Sequence, residues 1–255
     1  MLHILKLLPD LKNLKYLLLE NVQGFEISEM REKILCTLNE CNFTYQEFLL
    51  NPLQFSIPNS RLRYYLLAKK KPLEFPFEKT VDILEKLPEL SEDLKSEIDK
   101  LNWKYKRLSS DKNLCYNIGT IITDVDNYLI PDKILSKYGS ILDIVTKEDT
   151  RSCCFTKAYS HYAEGTGSVF SPASSECISN IFEEIGKTEK GSEEYLKLLQ
   201  KLKLRYFSPN EIAKLMCFSD YFKFPENLSD KQKYRVLGNS INVHVVSILA
   251  RILLS

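Results

Sequence analysis

The chain has 255 residues, 44% of them apolar and 27% charged, with a formal net charge of +1. This is an ordinary globular composition, enough for one large domain or two modest ones, and it excludes a disordered or low-complexity chain. No apolar run approaches the roughly 20 residues needed to span a bilayer, so no membrane partner is expected. Seven cysteines at irregular spacing and three histidines argue against a zinc site or a disulfide framework, and no metal is expected. The opening stretch is interrupted by Lys, Asp and Glu and lacks a small-residue cleavage site, so a cytoplasmic or nuclear location is expected. A protein that wraps long duplex DNA usually carries a clear basic excess; near-neutrality favours a compact site that reads one place closely.

In chain order, Leu2 to Leu11 reads as a helix ending near Asn13. Tyr16 to Leu19 is a continuous apolar run closing on Glu20-Asn21, which suits a strand buried on both faces of a parallel sheet. Arg31 to Cys41 reads as a helix. Thr44 to Leu50 and Arg63 to Ala68 read as strands, with Asn51-Pro52 and Pro58-Asn59 in the loop between them. This alternation is α/β. Lys69-Lys70-Lys71-Pro72 and Pro76 mark a boundary. Beyond it, Leu94, Ile98, Leu101, Tyr105 and Leu108 recur at helical spacing. Residues 72–203 read as a second region of helices and irregular loops, with Ser171–Ser175 and Lys190-Gly191 as surface loops. From 204 the helical signals sharpen: Ser208-Pro209-Asn210-Glu211 is a capping box with proline at the first helical position. Leu237-Gly238-Asn239-Ser240 then opens a last helix with Ile241, Val245, Ile248, Leu249 and Ile252 on its apolar face.

Four constellations carry chemistry. Glu20-Asn21-Val22 sits at a strand's carboxyl end, where ligands of open α/β sheets bind; a cap after a strand explains the same residues. Alternation puts Arg61 and Arg63 on one face, and two converging guanidiniums suit a phosphate or a base carbonyl; a solvated strand edge is the plain alternative. Cys153-Cys154-Phe155-Thr156-Lys157-Ala158-Tyr159, running on to Tyr162 and Gly165-Thr166-Gly167-Ser168, mixes aromatic and cationic groups that suit an unpaired base and its backbone. Gly238-Asn239-Ser240 at a helix start would offer free amides to an anion such as a carboxylate, or serve as an ordinary N-cap.

The order of these elements is more specific than any one of them. Glu20-Asn21-Val22-x-Gly24-Phe25-Glu26, Ile57 through Arg63, Cys154-Phe155-Thr156-Lys157-x-Tyr159 with Gly165 through Ser168, Leu204 through Ile212, and Leu237 through Val246 follow one another. Together they resemble the cytosine-5 methyltransferases, from Leu2 to Leu254 and most weakly between Pro72 and Asp149. The Cys-Phe-Thr element is similar to the branch, long grouped with the DNA enzymes, that modifies aspartate transfer RNA.

The resemblance implies the C-terminal part of a Rossmann-like, S-adenosylmethionine-dependent methyltransferase sheet at 1–71. It implies a target-recognition region at 72–203 and C-terminal helices returning to the catalytic domain at 204–255. In this family a cysteine thiolate adds to carbon 6 of a flipped-out cytosine, and carbon 5 takes the methyl group. By motif match, Glu20 would contact the ring N3 and exocyclic amine. Arg63 would hold the cytosine O2, with Arg61 its companion. Asn239 and Ser240 would line the cofactor pocket. Cys154, Phe155, Thr156, Lys157 and Tyr159 would lie in the substrate-facing recognition region. The expected partner is tRNA, with DNA the weaker choice.

The family's nucleophile sits in a Pro-Cys dipeptide upstream of Glu-Asn-Val, and its glycine-rich cofactor loop lies further upstream. The sequence contains no Pro-Cys, and Gly24 is its first glycine. None of Cys36, Cys41, Cys153 or Cys154 occupies the matching place. Three strand–helix units of about 30 residues each, roughly 90 residues, would supply the difference. The resemblance therefore implies an incomplete cofactor site and a chain inactive by itself, its first strand open at one edge. The alternative is a non-catalytic isoform that binds tRNA.

Overall fold

The computed structural model describes residues 2–101, 115–123 and 126–255. In chain order its regular elements are α1 (Leu2–Leu7), β1 (Tyr16–Val22), α2 (Glu29–Glu40), β2 (Phe43–Leu50), β3 (Arg63–Lys70), α3 (Glu92–Leu101), α4 (Asp132–Tyr138), β4 (Ile144–Val145), β5 (Val169–Phe170), α5 (Ser175–Ile185), α6 (Glu193–Lys201), α7 (Pro209–Leu215), α8 (Asp230–Gly238) and α9 (Val243–Leu254). They form two compact units. One comprises Met1–Phe55, Leu62–Lys104 and His244–Ser255; the other comprises Ser56–Arg61 and Tyr105–Val243. Of the helical repeat expected at Leu94, Ile98, Leu101, Tyr105 and Leu108, the first three lie on α3, and Tyr105 and Leu108 lie outside the described residues.

The first unit is built on a three-stranded sheet in the order β1-β3-β2. β3 runs antiparallel to both neighbours, which corrects the parallel pairing expected for Tyr16–Leu19. The apolar run of β1 itself carries no signal of direction, and its partner β3 is the doubly covered strand. Tyr64 through Ala68 are all essentially buried, because helices cover both faces of the central strand. Tyr64, Leu66 and Ala68 join Ile34 and Leu38 of α2 in one cluster. Tyr65 and Leu67 join Leu94 and Ile98 of α3 and Val245, Ile248, Leu249 and Ile252 of α9 in another. A strand covered on both sides reads as a continuous apolar run whatever its direction. β1, by contrast, is only half-buried along its length.

The boundary expected at 71/72 does not coincide with the units. The chain after Lys71 comes back along β2: Leu49 N–H donates to the Leu84 carbonyl (2.8 Å) and Leu84 N–H to the Glu47 carbonyl (3.0 Å). The buried Gln46 carboxamide accepts from Thr80 N–H and donates to the Asp82 carbonyl, both at 2.9 Å. These contacts cover an otherwise open edge of the sheet. Likewise, α7 and α8 belong to the second unit rather than to the sheet.

In the second unit, serines start α5, α6, α7 and α8. Ser174, Ser192, Ser208 and Ser229 each accept an N–H from the third helical residue. The last two complete reciprocal capping boxes with Glu211 and Gln232, each cap contributing about 1 kcal/mol. The expected box at Ser208 is present. The core gathers Leu135, Val169, Ile181, Ile185, Leu198, Leu199 and Leu204. Ser171, expected in a surface loop, is buried and donates its hydroxyl to the Leu202 carbonyl at 2.8 Å.

Glu211 has a second task. Its carboxylate receives Arg205 through both guanidinium nitrogens at 2.9 Å, and also Thr123 N–H (2.7 Å) and Ser208 N–H (2.8 Å). Burial pushes its pKa up, but these donors outweigh burial and hold it below the usual carboxylate range. The motif Leu204–Ile212 is thus a helix start fastened by a buried ion pair.

Candidate functional site

Glu20 and Arg63 are brought together by strand register. Glu20 lies opposite Tyr65 and Val22 opposite Arg63, so Glu20 and Arg63 are diagonal neighbours on one face. Arg63 Nε stands 3.4 Å from Glu20 Oε1, with the two side chains 15% and 23% exposed. Arg63 also donates to its neighbour's carbonyl, Leu62 O, at 2.8 Å. The residues after Glu20 hold the strand's end in place. Asn21 Oδ1 accepts Val22 N–H (2.9 Å), and Gly24, at φ +95°, donates its N–H to Glu26 Oε2 (2.7 Å). Phe25 then anchors the turn against Tyr64, ring centroids 5.0 Å apart. A partly hydrated carboxylate beside a guanidinium can present an acceptor and donors to a planar ring carrying an amidine edge and a carbonyl.

Arg61 does not share that face. β3 begins only at Arg63, and Arg61 has partners of its own in the second unit. It is 4% exposed and donates to Ser240 O (2.5 Å), Gly238 O (3.3 Å), Phe155 O (3.4 Å) and Cys154 Sγ (3.2 Å). Arg61 is thus engaged by carbonyls, whereas Arg63 stands beside Glu20. Arg61 is a positioning residue that ties the end of α8 to the Cys-Phe-Thr segment. Asn59 and Ser60 extend the seam: Asn59 Nδ2 donates to Cys153 O at 3.0 Å and Ser60 N–H to Ser152 O at 2.8 Å.

The recognition segment divides in two. Phe155 and Tyr159 are core residues rather than a base-stacking surface. Phe155 meets Tyr159 and Phe207 edge-on at 5.0 and 5.1 Å, and Tyr159 meets Tyr234 at 5.1 Å. Tyr159 Oη donates to Ser168 O and accepts Phe207 N–H, and full burial raises its pKa. These partners come from far along the chain, so no local pattern distinguishes such rings from exposed ones. Cys154 and Thr156 are half-buried, and Lys157 is exposed. Sequence reasoning gave no role to His161, whose ring lies 4.6 Å from that of Tyr162; both residues are exposed. Burial and the neighbouring Asp143 push the Cys153 thiol up, the opposite of an activated nucleophile.

Gly238-Asn239-Ser240 lies at a helix C-terminus, not an N-terminus. α8 ends at Gly238, and α9 begins only at Val243. Asn239 N–H and Ser240 N–H donate to Arg235 O and Leu237 O. The anion cradle of free amides is therefore absent, and the outward carbonyls meet a cation, Arg61, as the helix dipole favours. Sequence reasoning missed the demand on Gly238. A Cβ there would stand 2.0 Å from Lys157 N and 2.2 Å from the Thr156 carbonyl carbon. Only glycine lets α8 abut that backbone. For a methyl donor, the Asn239 carboxamide and the Ser240 hydroxyl remain. Each of these two neutral side chains offers both a hydrogen-bond donor and an acceptor.

Residues 3–255 match the family model described as C-5 cytosine-specific DNA methylase. The chain belongs to that family. Among its relatives, the tRNA (cytosine(38)-C(5))-methyltransferase of Spodoptera frugiperda is 44% identical over 254 residues, 99% of this chain and 70% of that protein. The Homo sapiens protein of the same name is 40% identical, covering 99% of this chain and 74% of its own. Among solved structures, the crystal structure of a Spodoptera frugiperda DNMT2 mutant superposes with a TM-score of 0.88 at 40% identity, covering all of this chain and 71% of that one. The methylase family assignment thus rests on nearly the full length of the chain.

Proposed function

We propose that this chain supplies the base-holding and target-recognition parts of an S-adenosylmethionine-dependent tRNA cytosine-5 methyltransferase. The observation that carries the reading is the diagonal Glu20–Arg63 pair, set by register at the end of the sheet. Two relatives at 40–44% identity, both named as tRNA (cytosine(38)-C(5))-methyltransferases, support the substrate. The sheet unit is read as part of a Rossmann-like catalytic domain and the second unit as the recognition region.

In this reading Glu20 meets N3 and the exocyclic amine of an extruded cytosine, and Arg63 meets its O2. Fixing the ring polarises it toward addition at carbon 6, and Glu20 stabilises the proton at N3 as charge develops. S-adenosylmethionine, when bound, supplies the methyl group for carbon 5. Asn239 and Ser240 would meet it through their side chains. Arg61 keeps the Cys-Phe-Thr backbone and the end of α8 in register, and Lys157 faces the RNA. The thiolate step is not assigned to any cysteine of this chain.

A second reading has its own observation: without a Pro-Cys dipeptide, the chain would bind tRNA and not modify it. One experiment addresses both. The purified 255-residue chain is incubated with tRNA and labelled S-adenosylmethionine, and both binding and label transfer are measured. Binding without transfer is expected. Robust transfer would overturn the second reading, and absence of tRNA binding would overturn the recognition role.

A further inference from the structure

The far end of the sheet carries a second assembly. Arg63 and Lys70 bound β3, so seven residue steps of about 3.4 Å put its far end roughly 24 Å from the Glu20–Arg63 pair. Beyond that end lies a cleft of about 460 Å³, within the size range of small-ligand sites. Its wall is aromatic: the rings of Phe75 and Phe77 stack 5.2 Å apart at 30°. Lys71 and Lys79 line it against one carboxylate, Glu74. Behind the wall sits Lys69, 2% exposed, its ammonium 5.3 Å from the Phe75 centroid. That ammonium donates to a neutral acceptor, the Glu74 carbonyl, at 2.8 Å. Burial lowers its pKa.

A buried ammonium whose described partners are a carbonyl and an aromatic ring, with no carboxylate, is costly to keep charged. A low-dielectric wall over such a charge focuses positive potential into the adjacent space. An anion in the cleft offsets that cost, and the aromatic wall selects an anion with a flat apolar body. Base stacking beside cations is how proteins hold single nucleotides. We propose that the cleft formed by Lys71, Phe75, Phe77 and Lys79 binds a nucleotide, its base against the phenylalanines and its phosphate between the lysines. Two sources share this chemistry: a free nucleotide, or a nucleotide of the bound RNA remote from the target base. The second source rests on the tRNA reading above; the first does not.

The probes are adenosine monophosphate, adenosine and inorganic phosphate, titrated calorimetrically into the protein, with tRNA affinity measured in parallel. The monophosphate is expected to bind more tightly than either part alone. Substituting the exposed pair, Lys71→Glu with Lys79→Glu, should weaken it by roughly ten- to hundredfold, the range for charged hydrogen bonds. Phe75→Leu, which keeps the apolar volume, should weaken it as well. Loss of monophosphate binding with unchanged tRNA affinity assigns a free nucleotide; loss of both assigns a nucleotide of the RNA. Absence of monophosphate binding, or binding indifferent to the lysine pair, overturns the site. So does a fall in tRNA affinity alone, which would mark a nonspecific charge effect. The monophosphate titration is independent of Glu20, so failure of the methyltransferase reading leaves it standing.

Discussion

Two of the described arginine–glutamate pairs, Arg205–Glu211 in the second unit and Glu20–Arg63 in the first, are built for different ends. Arg205 and Glu211 are 7% and 0% exposed and joined through two nitrogens at 2.9 Å. Two backbone amides and a threonine hydroxyl complete the carboxylate's shell. Glu20 and Arg63 meet at 3.4 Å, on a strand end where both keep part of their surface. The first geometry suits a fastening, since a fully satisfied buried pair leaves little for a ligand. The second suits work on a ligand, because the groups are oriented by register yet still reachable. The same two residue types become structure or site according to what surrounds them.

The largest break in the comparison should come from the buried pair. Glu211→Ala leaves Arg205 charged and buried, and should destabilise the protein by about 3–5 kcal/mol in denaturant unfolding. A loss below 1 kcal/mol would contradict its role as a fastening. Gly238→Ala drives a methyl group into the Thr156–Lys157 backbone and should cost about 1–3 kcal/mol, read as a lowered melting temperature. An unchanged melting temperature would mean that α8 does not depend on this approach.

Acid sharpens the contrast in two windows. His244 is buried neutral, its pKa pushed down by burial to about 4. The unfolded chain therefore takes up that proton first, and stability should fall as pH drops from about 6.5 toward 4. Glu211 is held below its ordinary value, so its contribution is full above about pH 4.3 and is lost on further acidification through the folded value. Melting curves of the wild type against His244→Gln and Glu211→Gln would separate the two; parallel curves at every pH would contradict both. The smallest stability effect belongs to the site pair. Glu20→Gln should change folding stability by less than about 1 kcal/mol, as for other part-exposed pairs.

Much of the fold was legible in the sequence. The strands expected at Thr44–Leu50 and Arg63–Ala68 are found at Phe43–Leu50 and Arg63–Lys70. The Ser208 capping box and the face of Val245, Ile248, Leu249 and Ile252 are present, whereas Ile241, expected on that face, precedes the helix start at Val243. Each of these signals is local: alternation, a cap, a helical repeat. The failures are all long-range. Gly-Asn-Ser is as good an end to a helix as a beginning, and only Arg61, some 180 residues away, reveals which carbonyls it presents. Phe155 and Tyr159 look like stacking surfaces until Phe207 and Tyr234 enclose them. Strand direction was misread because the apolar run Tyr16–Leu19 suits a buried strand of either direction, and only its pairing with β3 fixes it as antiparallel.

The central claim is that Glu20 acts on the base and not on the fold. Its most direct test joins these 255 residues to the Pro-Cys-bearing segment of a relative and measures methyl transfer to tRNA with Glu20 and with Glu20→Gln. The account predicts a rate loss of about 10²–10⁴, the usual range for a positioned acid–base group, with the melting temperature and tRNA affinity nearly unchanged. Equal rates, or a rate loss that merely follows a lost fold, would contradict it.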